Sequence, residues 1–242
     1  MRPYTRQLVQ FTQAVLWIAC STASVPVGAD TITEAGLKPA APGPWALECS
    51  TNPILQEARR CDLRLADPGN IDQKKVEELY LRFVDQFPDH RLVQYVYVRL
   101  GHTFADWAGP SLKSRGVVRD HTKALAYFKK AVGASDGKDA NGLYYMIVCR
   151  VNVAALAPKR EDKVREYMDY YQWIGELSKE KSERVTKGVL RTIRGMRHVS
   201  AVNMVSVAWE NAQHQRSDLL KLIADRFPDE EAGALALQKL KE

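Results

Sequence analysis

Five histidines, four cysteines and a band of basic residues are the side chains of this 242-residue chain with chemistry to offer. The histidines, His90, His102, His121, His198 and His214, fall at intervals that assemble no obvious ligand set. No HExxH, GxxxxGK[S/T] or GxSxG pattern is present, so the spacings that place a zinc pair, a phosphate cradle or a nucleophile are missing. His102 and Asp106 stand four apart, a helical spacing that suits a surface ion pair or a cap better than proton transfer. Close Cys or His pairs are likewise absent around Cys49, Cys61 and Cys149, which argues against a metal centre. These patterns assign no catalytic residue, no metal and no cofactor.

Three groups of residues suit binding. Arg184, Lys187, Arg191, Arg194 and His198 recur every three or four positions and form a basic stripe, centred opposite an apolar stripe of Val185, Val189, Thr192, Met196 and Val199. Such a stripe fits an acidic partner, an anionic surface or a polymer, with contacts weakened by salt. A solvated outer face accounts for it too. Tyr167, Tyr170, Tyr171 and Trp173 offer aromatic area with polar handles; Tyr167 and Tyr171 share a face suited to core packing, which makes Tyr170 the exposed candidate. The third group lies in the long segment 107–119, where Gly109, Pro110 and Gly116 predict a loop and Trp107, Lys113, Arg115 and Arg119 could line a rim. Aromatic residues do not interleave with the basic ones, so nucleic acid is a poor partner.

The elements that must position these groups read as helices. In Asp120–Val132, Ala124, Phe128 and Ala131 recur at helical spacing with Lys123, Lys129 and Lys130 on the wet side. Asp72 caps a helix with Val76, Leu79, Tyr80 and Phe83 inward. The next helix is expected from Asp89 to about Ala105, although Tyr95, Val96 and Val98 favour strands. Further helices are expected over Asn141–Leu156, Glu161–Leu177, Ser182–Val199, Ala201–Gln213, Ser217–Phe227 and Glu230–Leu240, the first of them apolar on several faces. Phe87-Pro88-Asp89 and Phe227-Pro228-Asp229 are 140 residues apart, four periods of 35. At each, proline stops one helix and aspartate is expected to cap the next.

The N-terminus has the polarity of an export signal. Arg2 and Arg6 precede an apolar run to Cys20, and Val27-Gly28-Ala29 offers small residues before a new start at Asp30. An uncleaved anchor and lipidation at Cys20 are the rival readings, so peripheral membrane association stays open. Residues 1–29 are therefore read as a signal peptide, 30–70 as an extended lead-in with a short helix within Ile54–Leu65, and 71–242 as the helical domain. Export would permit a Cys49–Cys61 disulfide, while Cys149 reads as a buried thiol. Of the 35 basic residues two lie in the signal, so 33 remain against 29 acidic ones and the mature net charge is +4. That excess is too small to imply nucleic acid by itself.

Leu100-Gly101 in one helix, Ala124, Phe128 and Ala131 in the next, and the two Phe-Pro-Asp junctions resemble the tetratricopeptide repeat of exported bacterial proteins. The resemblance covers about half the mature chain. It implies an all-α fold of antiparallel helix pairs stacked into a short right-handed solenoid, irregular in its middle, that binds proteins or peptides. The function expected is an exported, non-catalytic binding module in the periplasm or outside the cell. A structural subunit docked to a partner or to itself, or a small-ligand carrier, are the alternatives.

Overall fold

The computed structural model describes residues 51–62, 70–105, 116–135 and 137–242, and among the described residues the regular elements are helices, with no strand. In chain order the helices are α1 (Pro53–Cys61), α2 (Gln73–Gln86), α3 (Leu92–Ala105), α4 (His121–Gly133), α5 (Ala140–Leu156), α6 (Arg160–Leu177), α7 (Lys187–Trp209), α8 (Gln213–Arg226) and α9 (Glu231–Leu240). The signal segment, Cys20, Cys49 and the rim residues Trp107, Lys113 and Arg115 lie outside the described residues.

Short polar side chains set where most of these helices begin. Asn52 accepts from the amides of Ile54 and Leu55, with Pro53 at the first helical position. Asp72, Asp120 and Asp139 accept from the amides three residues on, at 2.9, 2.9 and 2.7 Å, and Thr186 does the same for Val189 at 3.3 Å. Each satisfies an amide the helix itself leaves free, typically for about 1 kcal/mol.

The chain divides into two compact units at Ala134/Ser135. In the first, α3 is buried on nearly every side and packs most extensively on α4. Their directions follow from the pairings. Phe104 lies beside Lys123 and Tyr127, and Tyr97 beside Lys130, so the helices run antiparallel. Gly101 leaves room for the Phe128 ring between them: a Cβ there would sit 2.6 Å from it. Strand propensity in α3 loses because a helix buried on several faces can use β-branched side chains on all of them. The helix starts at Leu92 instead of Asp89, since the Leu92 amide is capped by His90 Nδ1 at 3.1 Å.

In the second unit α5 is buried on several faces, Cys149 among them. Val164, Tyr167, Met168, Tyr171 and Ile174 of α6 all turn inward as the periodicity predicts. Glu161 binds Gln215 and Asp169 binds Arg226, so α6 and α8 run parallel. His198 meets Glu231 and Trp209 meets Lys239, so α7 and α9 run parallel as well. The pairing of Asn203 with Tyr167 and of Glu210 with Arg160 sets α7 antiparallel to α6.

The separate helices expected over 182–199 and 201–213 are one helix, α7, of 23 residues. Ser200 does not break it, because its hydroxyl donates back to the Met196 carbonyl at 2.6 Å inside the core. Residues 182–186 precede it as a turn, and Ile193 takes the buried position expected of the half-exposed Thr192.

Both Phe-Pro-Asp junctions adopt one backbone geometry. Phe87 has φ −135° and ψ 58°, Phe227 φ −131° and ψ 53°, and each amide donates to the carbonyl four residues back. Each carbonyl then accepts from the residue after aspartate, closing a four-residue turn with proline second, its favoured place. Aspartate is thus a turn residue, and the expectation that it caps the next helix fails at both junctions: His90 caps α3, and α9 begins after Glu230 with no side-chain cap.

Candidate functional site

Among the sequence-derived candidates, one set comes together. Lys187, Arg191, Arg194 and His198 stand at i, i+4, i+7 and i+11 of α7, which places them within about 60° of one another around the helix at 3.6 residues per turn. All four are exposed. His198 pairs through Nδ1 with the Glu231 carboxylate at 2.6 Å. Lys187, Arg191 and Arg194 have no acidic partner among the described residues. The opposite side of this stretch carries Val189, Ile193 and Met196 into the core, so the apolar contacts hold the basic face outward.

Arg184 does not belong to that face. It lies in the turn before α7, where its guanidinium grips both oxygens of Glu180 and donates to the Gly137 carbonyl at 2.9 Å. The Arg184 hydrogen bond, then that of Ser182, holds the Glu180 carboxyl down at about 2. This cation is thereby a clasp between the α6–α7 turn and the segment before α5. Arg197, on the flank of α7, is similarly occupied: it pairs with Glu230 and lies 4.8 Å from the centre of the Tyr171 ring.

Tyr170 is buried, only 3% exposed, which overturns its role as an exposed platform. Residues 167, 170, 171 and 174 of α6 all face inward because α5 and α7 both pack on that helix. Burial, then the neighbouring Tyr167, pushes the Tyr170 hydroxyl well above its ordinary range. Trp173 is the half-exposed member of the group and carries Arg150 against its ring at 4.3 Å.

Two arrangements in the first unit escaped the sequence. Asp62, just past α1, is fully buried and takes both arms of the Arg99 guanidinium, Nε at 3.0 Å, while the Tyr80 hydroxyl donates to it at 2.8 Å. Burial and the Asp62 charge push the Tyr80 hydroxyl far up; for Arg99 burial is the largest influence and acts against the charge, but Asp62, Tyr95 and Tyr80 together outweigh it and hold the guanidinium above its ordinary value. A charged residue between Val98 and Leu100 was the available signal. The second arrangement borders a cleft of about 340 Å³ lined by Asp72, Gln73, Lys74, Glu77 and Phe104. Glu77 accepts from Lys123 Nζ at 2.6 Å and from the Tyr127 hydroxyl. Burial and then this bond push the Tyr127 hydroxyl upward, so it is a committed donor and a poor acid.

His102 is buried, with its ring edge-on to Phe128 at 5.1 Å, in place of the surface position its sequence spacing suggested. Cys61 is buried at the end of α1, and its expected partner Cys49 lies outside the described residues. Among the described residues no group of His, Cys, Asp and Glu could hold a metal ion, and no helix is long and apolar enough to cross a membrane. Comparison with family models, curated proteins and solved structures finds no match.

Proposed function

We propose that this chain is an exported, non-catalytic interaction module, built from tetratricopeptide-like helix pairs, that docks an acidic partner on the outer face of α7. The observation that carries the reading is the contrast between Arg184 and Arg197, each held by an acid of its own chain, and Lys187, Arg191 and Arg194, exposed on one face with no ion pair among the described residues. A basic side chain in water gains little by pairing, so three adjacent unpaired cations are consistent with recognition by charge. The parallel runs of α6 with α8 and of α7 with α9 support stacking of successive helix pairs, as a solenoid requires. Glu77, the acid beside the cleft, is engaged by Lys123 and Tyr127, which favours binding over catalysis.

The test is Arg191→Glu with Arg194→Glu, measured as crosslinked capture from an envelope fraction at low salt. Loss of about tenfold or more in capture, with an unchanged melt, is expected for charges that steer and hold an acidic partner. Undiminished capture would reject the face. Export is tested separately by the mass of the mature protein, expected to begin at Asp30; an intact Met1 on the cell's soluble protein would remove that part of the proposal.

A further inference from the structure

Helix α6 carries a charge pattern opposite in sign to that of α7. Asp162, Glu166, Asp169, Trp173 and Glu176 stand at i, i+4, i+7, i+11 and i+14, within about 80° of one another around the helix at 3.6 residues per turn. They lie on the side away from buried Val164, Tyr167, Met168 and Tyr171. Glu166, Asp169 and Glu176 are exposed, Asp162 and Trp173 half-exposed. Asp169 holds Arg226 of α8, Glu176 accepts from Gln172, and Arg165 stands at the margin of the stripe. Asp162 and Glu166 have no ion pair among the described residues. Asp162 lies in the first turn of α6, where the helix dipole favours an acid; Glu166 lies beyond that turn. The first four positions of the stripe repeat the spacing of Lys187, Arg191, Arg194 and His198 on α7.

We infer that the acidic partner of the α7 face is a second copy of this chain, which presents this face of α6. The inference rests on the basic-face reading above and names its partner. Within one copy the two faces are kept apart. The pairings of Asn203 with Tyr167 and of Glu210 with Arg160 set residues 162–169 beside the C-terminal half of α7, whereas the cations occupy its N-terminal half. The centres of the two faces are thus offset along the pair by roughly 20 Å at 1.5 Å per residue, about twice the distance over which 0.1 M salt screens exposed charges. Each face also lies opposite the side that its own helix buries. Between copies neither obstacle applies. Three acids spaced four and three apart span about 10.5 Å, and so do the three cations. Trp173 adds to the charges the kind of aromatic side chain on which interfaces turn. Because the two faces differ, the contact is head-to-tail, and it builds a ring or a string of copies.

The experiment follows the full chain by sedimentation velocity over a series of concentrations at low salt, where the parent is expected to associate, and at high salt, where it is expected to dissociate. Asp162→Lys with Glu166→Lys reverses the acidic face, and Arg191→Glu with Arg194→Glu the basic one. Each double variant alone is expected to associate more weakly by about tenfold or more, because like charges then meet, with a melting temperature near the parent's. Glu166→Lys alone, beyond the first turn of α6, takes the place of the acidic-face variant should that one melt early. Mixed in equal amounts, the two variants are expected to recover the parent's association, since each again meets a face of opposite sign. Parent association that either variant keeps, or that the mixture of folded variants fails to recover, would overturn the docking of α6 on α7. A parent that stays monomeric would overturn it as well, and capture from the envelope fraction then separates the two readings. Capture lost with Arg191→Glu, Arg194→Glu would leave the basic face standing and give it to a different acidic protein. Neither self-association nor charge-dependent capture would remove both.

Discussion

At the scale of single residues, the buried carboxylate of Asp62 is the point of greatest consequence. Three elements meet on it, since it caps the exit from α1, holds Arg99 of α3 and accepts from Tyr80 of α2. Removing one partner of such a pair strands the other charge away from water. Asp62→Asn is expected to cost about 3 to 5 kcal/mol in a urea melt, whereas replacing Asp62 with Leu and Arg99 with Met together should recover much of the loss. A small loss in the single variant would mean that water reaches the pair. Glu180 makes the opposite kind of ion pair, one open to solvent. Its folded value of about 2 lies below the 4.5 of a free carboxyl, so its stabilising contribution is complete above the ordinary carboxylate range and is lost as pH falls from there through about 2. Carbon-13 titration of the Glu180 carboxyl should give a midpoint near 2, returning toward 4.5 in Arg184→Ala. A midpoint that stays low without Arg184 would assign the shift to another cause.

At the scale of helices, the two Phe-Pro-Asp junctions separate what a sequence repeats from what a fold does with it. Their backbones coincide, as the shared tripeptide predicts, because proline and the turn it favours are local properties. The phenylalanines differ: Phe227 is 4% exposed and meets Tyr171 edge-on at 5.0 Å, while Phe87 is 39% exposed and rests on Phe83. Phe227→Ala should therefore cost about 3 to 5 kcal/mol by cavity formation, and Phe87→Ala about 1 kcal/mol, the scale of one aromatic pair. Equal losses in two denaturation curves would contradict the burial. The same division explains what could be read in advance. Periodicity places Val76, Leu79, Tyr80 and Phe83 of α2 and five inward residues of α6 correctly, since one wet face and one dry face leave a pattern. It misjudges Tyr170, because a helix covered from two sides buries residues that its own spacing assigns to water. It also divides α7 at Ser200, where only tertiary burial keeps a poor helix former in line. The basic stripe was legible as spacing; that Arg184 would be taken by Glu180 was not, since the turn that joins them follows from packing outside the stripe.

For the molecule as a whole, the question is whether its positive charge or the placement of that charge selects a partner. The chain carries a net charge of +6, and reversing two cations removes four units, leaving +2 wherever the cations are. Long-range attraction to an acidic partner depends on the total and is cut off beyond about 10 Å at 0.1 M salt. Contact at the face depends on which cations are changed. Lys129 on α4 and Arg165 on α6 are exposed, as Arg191 and Arg194 are, so Lys129→Glu with Arg165→Glu makes the same change in net charge at residues that are not part of the basic face. If the face binds, this control variant should lose about two- to threefold in association rate at low salt and recover it at 0.15 M, since rim charges act mainly on encounter. The Arg191→Glu, Arg194→Glu variant should lose affinity at both salt concentrations, chiefly through faster dissociation. Equal losses in the two variants, vanishing together as salt rises, would reduce the basic face of α7 to a share of the overall charge.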